Sequence, residues 1–231
     1  MRRVLHLIVF GVAAILPATA LADGVELRAG AMFPGTGKAT ASDCQSGCNL
    51  FTDLDTLFGA SKGGWAGATG GIEVSRRIAP GVEVGVHIDG YGTRRHTHYA
   101  SPDAPRDLRQ MLDLTYAPIG LSLRLMPPGA HAAITPYVAA GPDLVVWQYR
   151  EHGGYFDFGA KEDFDAEYEA SGVTPGLHVA AGVRVPLSYD FALTTEVRYL
   201  WTKKVAMGGD FEAYDIQPGG VSATFGLRLR F

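Results

Sequence analysis

Glu83, His87 and Asp89 carry the clearest chemical potential in the chain, spaced four and two residues apart. In an extended segment successive side chains point to opposite faces, so all three share one face. A carboxylate beside an imidazole can move a proton or hold a metal ion. No spacing fixes a nucleophile near them, so a structural role is the simpler reading. His96 and His98 also share a face, with Asp103 or Asp107 following as candidate ligands; such groups are more often solvated loop residues. Cys44 and Cys48 close the segment Cys-Gln-Ser-Gly-Cys. In an exported chain this pair reads as a small-loop disulfide, and no second Cys pair or adjacent His completes a tetrahedral metal site. So short a loop removes little chain entropy, and the bridge would staple a local turn. The sequence therefore assigns no catalytic residue, no cofactor and no metal ligand.

The start of the chain supports export. Residues 1–22 have the form of a cleaved secretory signal peptide, with Arg2 and Arg3 as its basic end and Ala20-Leu21-Ala22 as a small-x-small cleavage site. Cleavage would leave Asp23 first and take the formal charge from −4 to −6, since two arginines are lost. Nothing in that charge suggests nucleic acid. Past the leader no run is long and apolar enough for a transmembrane helix.

The elements that must position these groups show themselves by alternation. Val221, Ala223, Phe225, Leu227, Leu229 and Phe231 are apolar, and Ser222, Thr224, Gly226, Arg228 and Arg230 stand between them. That is the period of a strand with one greasy face. Eight such strands are expected, at 25–33, 65–76, 82–92, 111–126, 134–149, 174–185, 191–202 and 220–231. Each is long enough to cross a bilayer, which takes about nine to eleven residues. In the fourth, Leu112 and Leu114 are expected outward with Asp113 and Thr115 inward. After Pro118 the apolar phase flips, which suggests a bulge at Ala117-Pro118. Connections alternate between long and short. Two of the long ones are conspicuous: a basic loop at 93–109, and an acidic loop at 150–172 with interleaved Tyr and Phe. The acidic spacing is not that of an EF-hand; the loop is expected to dock on the basic one or to be solvated.

Charge within the strands falls almost wholly on one face. An arginine on the other, at mid-bilayer, would cost about 2–4 kcal/mol. A soluble barrel would show the reverse, so the apolar face meets lipid and the charged face lines a lumen. The expected fold is all-β: an antiparallel up-and-down transmembrane barrel over residues 23–231. Phe33, Phe191, Tyr199, Trp201 and Phe231 near strand ends suit interfacial girdles. The expected lumen network is Glu26, Arg28, Glu73, Glu83, His87, Asp89, Asp113, Arg124, Asp143, His178, Arg184, Glu196, Arg198, Arg228 and Arg230. Side chains just fill so small a barrel, and charges inside must pair, so a plugged lumen is expected.

The segments Thr135-Pro136-Tyr137-Val138-Ala139-Ala140-Gly141, His178-Val179-Ala180-Ala181-Gly182, Glu196-Val197-Arg198-Tyr199 and Gly226-Leu227-Arg228-Leu229-Arg230-Phe231 resemble the small eight-stranded OmpA/OmpX-like barrels of Gram-negative outer membranes. That resemblance implies an outer-membrane location and a final strand ending in Phe231 that the barrel-assembly machinery reads. Outer-membrane lipid and lipopolysaccharide would surround a monomer. It specifies fold better than function. The expected role is a non-enzymatic barrel that displays loops for envelope integrity or surface interaction. The alternatives are a small channel of OmpW type and a lipid-modifying barrel enzyme. Eight-stranded lipid A deacylases use a His-x-Ser pair, and none of the seven histidines here has Ser two residues later.

Overall fold

Alternating sequences of this kind can satisfy their backbone groups only across neighbours, and in the computed structural model the neighbours form a closed ring. The structure describes residues 22–35, 48–49, 65–98, 108–127, 134–157, 159–211 and 214–231. Eight barrel strands follow in order: β1 (Gly24–Pro34), β2 (Gly67–Ala79), β3 (Val82–His98), β4 (Arg109–Leu125), β5 (Thr135–Asp157), β6 (Glu162–Pro186), β7 (Phe191–Thr202) and β8 (Gly220–Arg230). Each pairs antiparallel with its sequence neighbour, and β1 pairs with β8 to close the barrel. No helix among the described residues is long and apolar enough to cross a membrane. The expected leader, except Ala22, lies outside the described residues, as do Cys44, Asp103 and Asp107.

Two expectations are corrected. Residues 150–172 do not form a loop. β5 and β6 run on together, 23 and 25 residues long, as one hairpin paired from Thr135↔Arg184 to Asp157↔Glu162. Its turn is tight because the Asp157 carboxylate accepts from the backbone N–H of Gly159 at 2.7 Å and of Ala160 at 3.1 Å. Those two bonds hold the Asp157 carboxyl below its ordinary pKa. Likewise much of the basic loop is strand, since β3 continues to His98. Arg94 bonds to Asp113, and Glu167 and Glu169 pair with Arg150 of their own hairpin.

The second correction concerns β4. No bulge interrupts it: Ile88 faces Ile119 and Tyr91 faces Tyr116 in one unbroken register. Alternation continues through Pro118, so Leu112, Leu114 and Tyr116 point inward, all fully buried, while Asp113 and Thr115 point outward. Asp113 therefore leaves the expected lumen network. A register shift does occur elsewhere, between Arg77 and Ala79 at the β2–β3 turn.

The polarity flip is real but belongs to the surroundings. Around the half that holds the short turns, the outer face carries Leu27, Leu121, Leu123, Leu125, Val138, Leu144, Leu177, Val179, Val197 and Leu227, all exposed as lipid-facing side chains must be. Phe33, Phe191, Tyr199, Trp201 and Phe231 also point outward. Farther along, the outer face becomes ionic. Arg94, Asp113, Arg150 and Glu169 sit opposite one another in a single transverse row across β3 to β6, alternating in sign. Arg94 Nε meets Asp113 at 2.6 Å and Arg150 Nη2 meets Glu169 at 2.9 Å. Above that row water replaces lipid, and the inside accordingly becomes greasy.

Candidate functional site in the barrel lumen

The inward faces build two stacked fillings. The lower one is ionic. At the end with the short turns, Arg184 grips both oxygens of Glu83 at 3.0 Å, and Arg228 bonds to Ser75 Oγ at 2.7 Å. Arg230 lies at the mouth, partly exposed, beside Asp23 and Arg77. One layer in, Arg124 reaches Glu73 at 2.9 Å and Glu83 at 3.5 Å and stacks 4.6 Å from the centre of the Tyr137 ring. The Tyr137 hydroxyl donates to Glu196 at 3.0 Å. Arg28 then clamps Asp89 with two bonds of 2.7 Å and touches Glu73 at 3.2 Å. Arg198 bridges Asp89 at 3.0 Å and Glu196 at 2.9 Å. Buried charges survive in this way only when each finds partners, because removing one member strands the other. Glu26, also buried, faces the same network.

His87, Asp143 and His178 form a separate cluster at the top of this layer. His87 Nε2 lies 2.9 Å from one Asp143 oxygen, and His178 Nδ1 lies 2.7 Å from the other. The two imidazoles meet edge to face, with centroids 5.1 Å apart. Among the described residues their other ring nitrogens have no partner, so neither imidazole is bonded to a hydroxyl there. The expected Glu83–His87–Asp89 grouping is thus divided. Glu83 belongs to the arginines below, Asp89 is held by Arg28 and Arg198, and the true partner of His87 comes from β5. His96 faces outward and is exposed, and the side chain of His98 lies outside what is described.

The upper filling is apolar. Trp65, Tyr91, Leu112, Leu114, Tyr116, Val145, Trp147 and Tyr149 pack together inside the barrel. The β7–β8 connection folds in to complete it. A small sheet made by Cys48–Asn49, Val205–Ala206 and Tyr214–Ile216 carries the connection, and Met207, Phe211 and Ile216 enter the core. The Phe211 ring stands edge-on to Tyr149 at 5.4 Å. Glu151, on the inner face of the hairpin, accepts from the hydroxyls of Tyr149 and Tyr155. Burial raises its pKa. Sequence reasoning missed this core because it sent β4 leucines to the lipid. The available signal was the flip itself, since a strand that keeps its register while its apolar face changes sides is one that passes from lipid to water.

The comparisons with known proteins agree with this geometry. The family model for the outer membrane protein beta-barrel domain matches residues 8–229. No curated protein matches the sequence. Among solved structures, Neisserial surface protein A is 17% identical with a TM-score of 0.50, covering 90% of this chain and 96% of that one. OprG of Pseudomonas aeruginosa is 14% identical with a TM-score of 0.49, covering 91% and 96%. At 17% identity the first likeness is one of fold. With lipid-facing belt, closed ring and family match in agreement, the chain belongs to the outer membrane β-barrel family and is an integral protein of the bacterial outer membrane.

Proposed function

We propose that this barrel is non-enzymatic, that its lumen is closed, and that it works by presenting the β5–β6 hairpin outside the cell, for envelope integrity or surface contact. The observation that carries this reading is the double filling: a buried ion-pair layer and an apolar plug above it. An ion entering the lower layer would have to displace Arg124 or Arg184, each ion-paired with buried carboxylates. It would then have to cross packed Trp and Tyr rings. The hairpin is the other half of the argument. Its outer face carries Asp163, Asp165, Glu167 and Glu169, and Phe164 is left 44% exposed near its tip. Ionic and aromatic groups together on a projecting arm suit recognition better than transport.

The test is single-channel recording of the refolded barrel in planar bilayers. Silence in most insertions is the expected result. Reproducible conductance that changes when Arg198 or Glu196 is neutralised would replace this reading with that of a small pore.

A further inference from the structure

Asp143 differs from the carboxylates around it. Glu73, Glu83, Asp89 and Glu196 all pair with arginines. Among the described residues Asp143 pairs with none; its partners there are His87 and His178. All three side chains are at most 1% exposed. A buried carboxylate held by imidazoles rather than by an arginine has no permanent cation at bonding distance among the described residues, and a metal ion between the three side chains would supply one.

The donor set fits a particular kind of cation. Two imidazole nitrogens and a carboxylate oxygen are ligands for first-row divalent metals, Zn2+ among them. The three ligand atoms already lie within 4.8 Å of one another, contributed by β3, β5 and β6. Metal bonds of about 2.0–2.2 Å would set tetrahedral ligands about 3.3 Å apart. The contacts of 2.9 and 2.7 Å, made to the two different oxygens of Asp143, would open by about half an ångström, while the widest separation among the three ligand atoms, at most 4.8 Å, would close toward the same value.

The backbone leaves room for the cluster. Gly120 faces both His87 and Asp143 across its two ladders, and a Cβ there would lie 2.2 Å from Asp143 Oδ1. On the other side Asp143 borders a cavity of about 30 Å3 that Asp89 and Tyr91 also line. That is space for about two waters, one of which can complete a metal's coordination. Nearby Arg28 and Arg198 are already engaged by Asp89, which itself stands 3.8 Å from His87 Nε2.

We propose that His87, Asp143 and His178 form a binding site for one divalent first-row transition metal ion, with water from the adjoining cavity as its remaining ligand. The ion sits between the imidazoles and the carboxylate, each neutral imidazole binding through the nitrogen that faces Asp143 and carrying its one hydrogen on the other ring nitrogen, so no proton is lost. It ties three strands together at the top of the ionic layer. The inference is independent of whether the lumen conducts.

The test uses the tag-free, refolded full barrel, stripped with a chelator and titrated with Zn2+, and with Co2+ as a visible reporter. One equivalent should bind, with Co2+ absorption of a low-coordinate N/O site and a rise in unfolding temperature with Zn2+. Asp143→Asn and His178→Gln should each weaken binding at least about 100-fold, since even outer-shell changes cost 10–100-fold. Heat-dependent gel mobility reports whether each variant folds. X-ray absorption on the Zn2+ form of the unaltered protein provides a readout that needs no variant, and should show two imidazoles. Failure to bind a stoichiometric ion, binding unchanged in both folded variants, or an absorption spectrum without two imidazoles would each overturn the proposal.

Discussion

On β4, Leu121, Leu123 and Leu125 face outward and Arg124 faces the lumen, whereas Leu112 and Leu114 face inward and Asp113 faces out. The backbone is the same throughout, and so is the alternation. What differs is the medium outside. Where lipid surrounds the barrel, apolar side chains belong outside and the enclosed space must be filled with groups that satisfy one another. Where water surrounds it, the usual preference returns and the enclosed space becomes a hydrophobic core. One strand thus carries two opposite polarity codes, joined at the level of Pro118.

The contrast can be broken most forcefully from the ionic side. Arg124→Met leaves Glu73 without its 2.9 Å partner and should destabilise the barrel by about 3–5 kcal/mol, read by urea unfolding in detergent. The double change Arg124→Met with Glu73→Gln should recover a large part of that loss; no recovery would mean the pair is not the unit of stability. A smaller effect sharpens the comparison along a single strand. Leu121→Arg, on the lipid face, should cost about 2–4 kcal/mol, while Thr115→Arg, outward but above the membrane, should stay within about 0.5 kcal/mol. Equal costs would place the lipid boundary elsewhere. The smallest effect is on pH dependence. Burial raises the pKa of Glu151 above its ordinary 4.5. The folded state therefore holds its proton more tightly than the unfolded state does. The stability this group contributes is complete below 4.5 and is lost as pH rises through the folded value. Glu151→Gln should flatten that decline in unfolding titrations across mildly acid to neutral pH.

How much of this was legible varies with the physics. The strands of the membrane half could be read from residues such as Val84, Val86 and Glu83, because period and polarity point the same way there. The hairpin arm could not, although Phe164, Ala166, Tyr168 and Ala170 alternate with Asp163, Asp165, Glu167 and Glu169. Its high acid content resembles that of a solvated loop, and strand identity comes from pairing with β5, which the sequence does not display. The lumen charges were assigned to the right face, Asp113 excepted, because alternation dictates the face. Which charge meets which is decided by the stagger of strands around the ring. That stagger brings His87 to Asp143, 56 positions away, and sets Asp89 against Arg28, 61 positions away. Tyr137, which covers Arg124 and bonds to Glu196, escaped notice because a tyrosine on a luminal face looks like ordinary packing.

The seam between β1 and β8 has a consequence in time. Its register runs from Gly24↔Arg230 to Pro34↔Gly220, joining stretches from opposite ends of the described chain. Every other ladder of the barrel links sequence neighbours across one connection and can form locally. The seam must close the longest loop of all, so it is entropically the most demanding step and the slowest to find. Until it forms, the sheet keeps two open edges that would pair with any available strand. Maturation of this barrel is therefore gated by a single late event, and a chain stalled before it is one that other chains can capture.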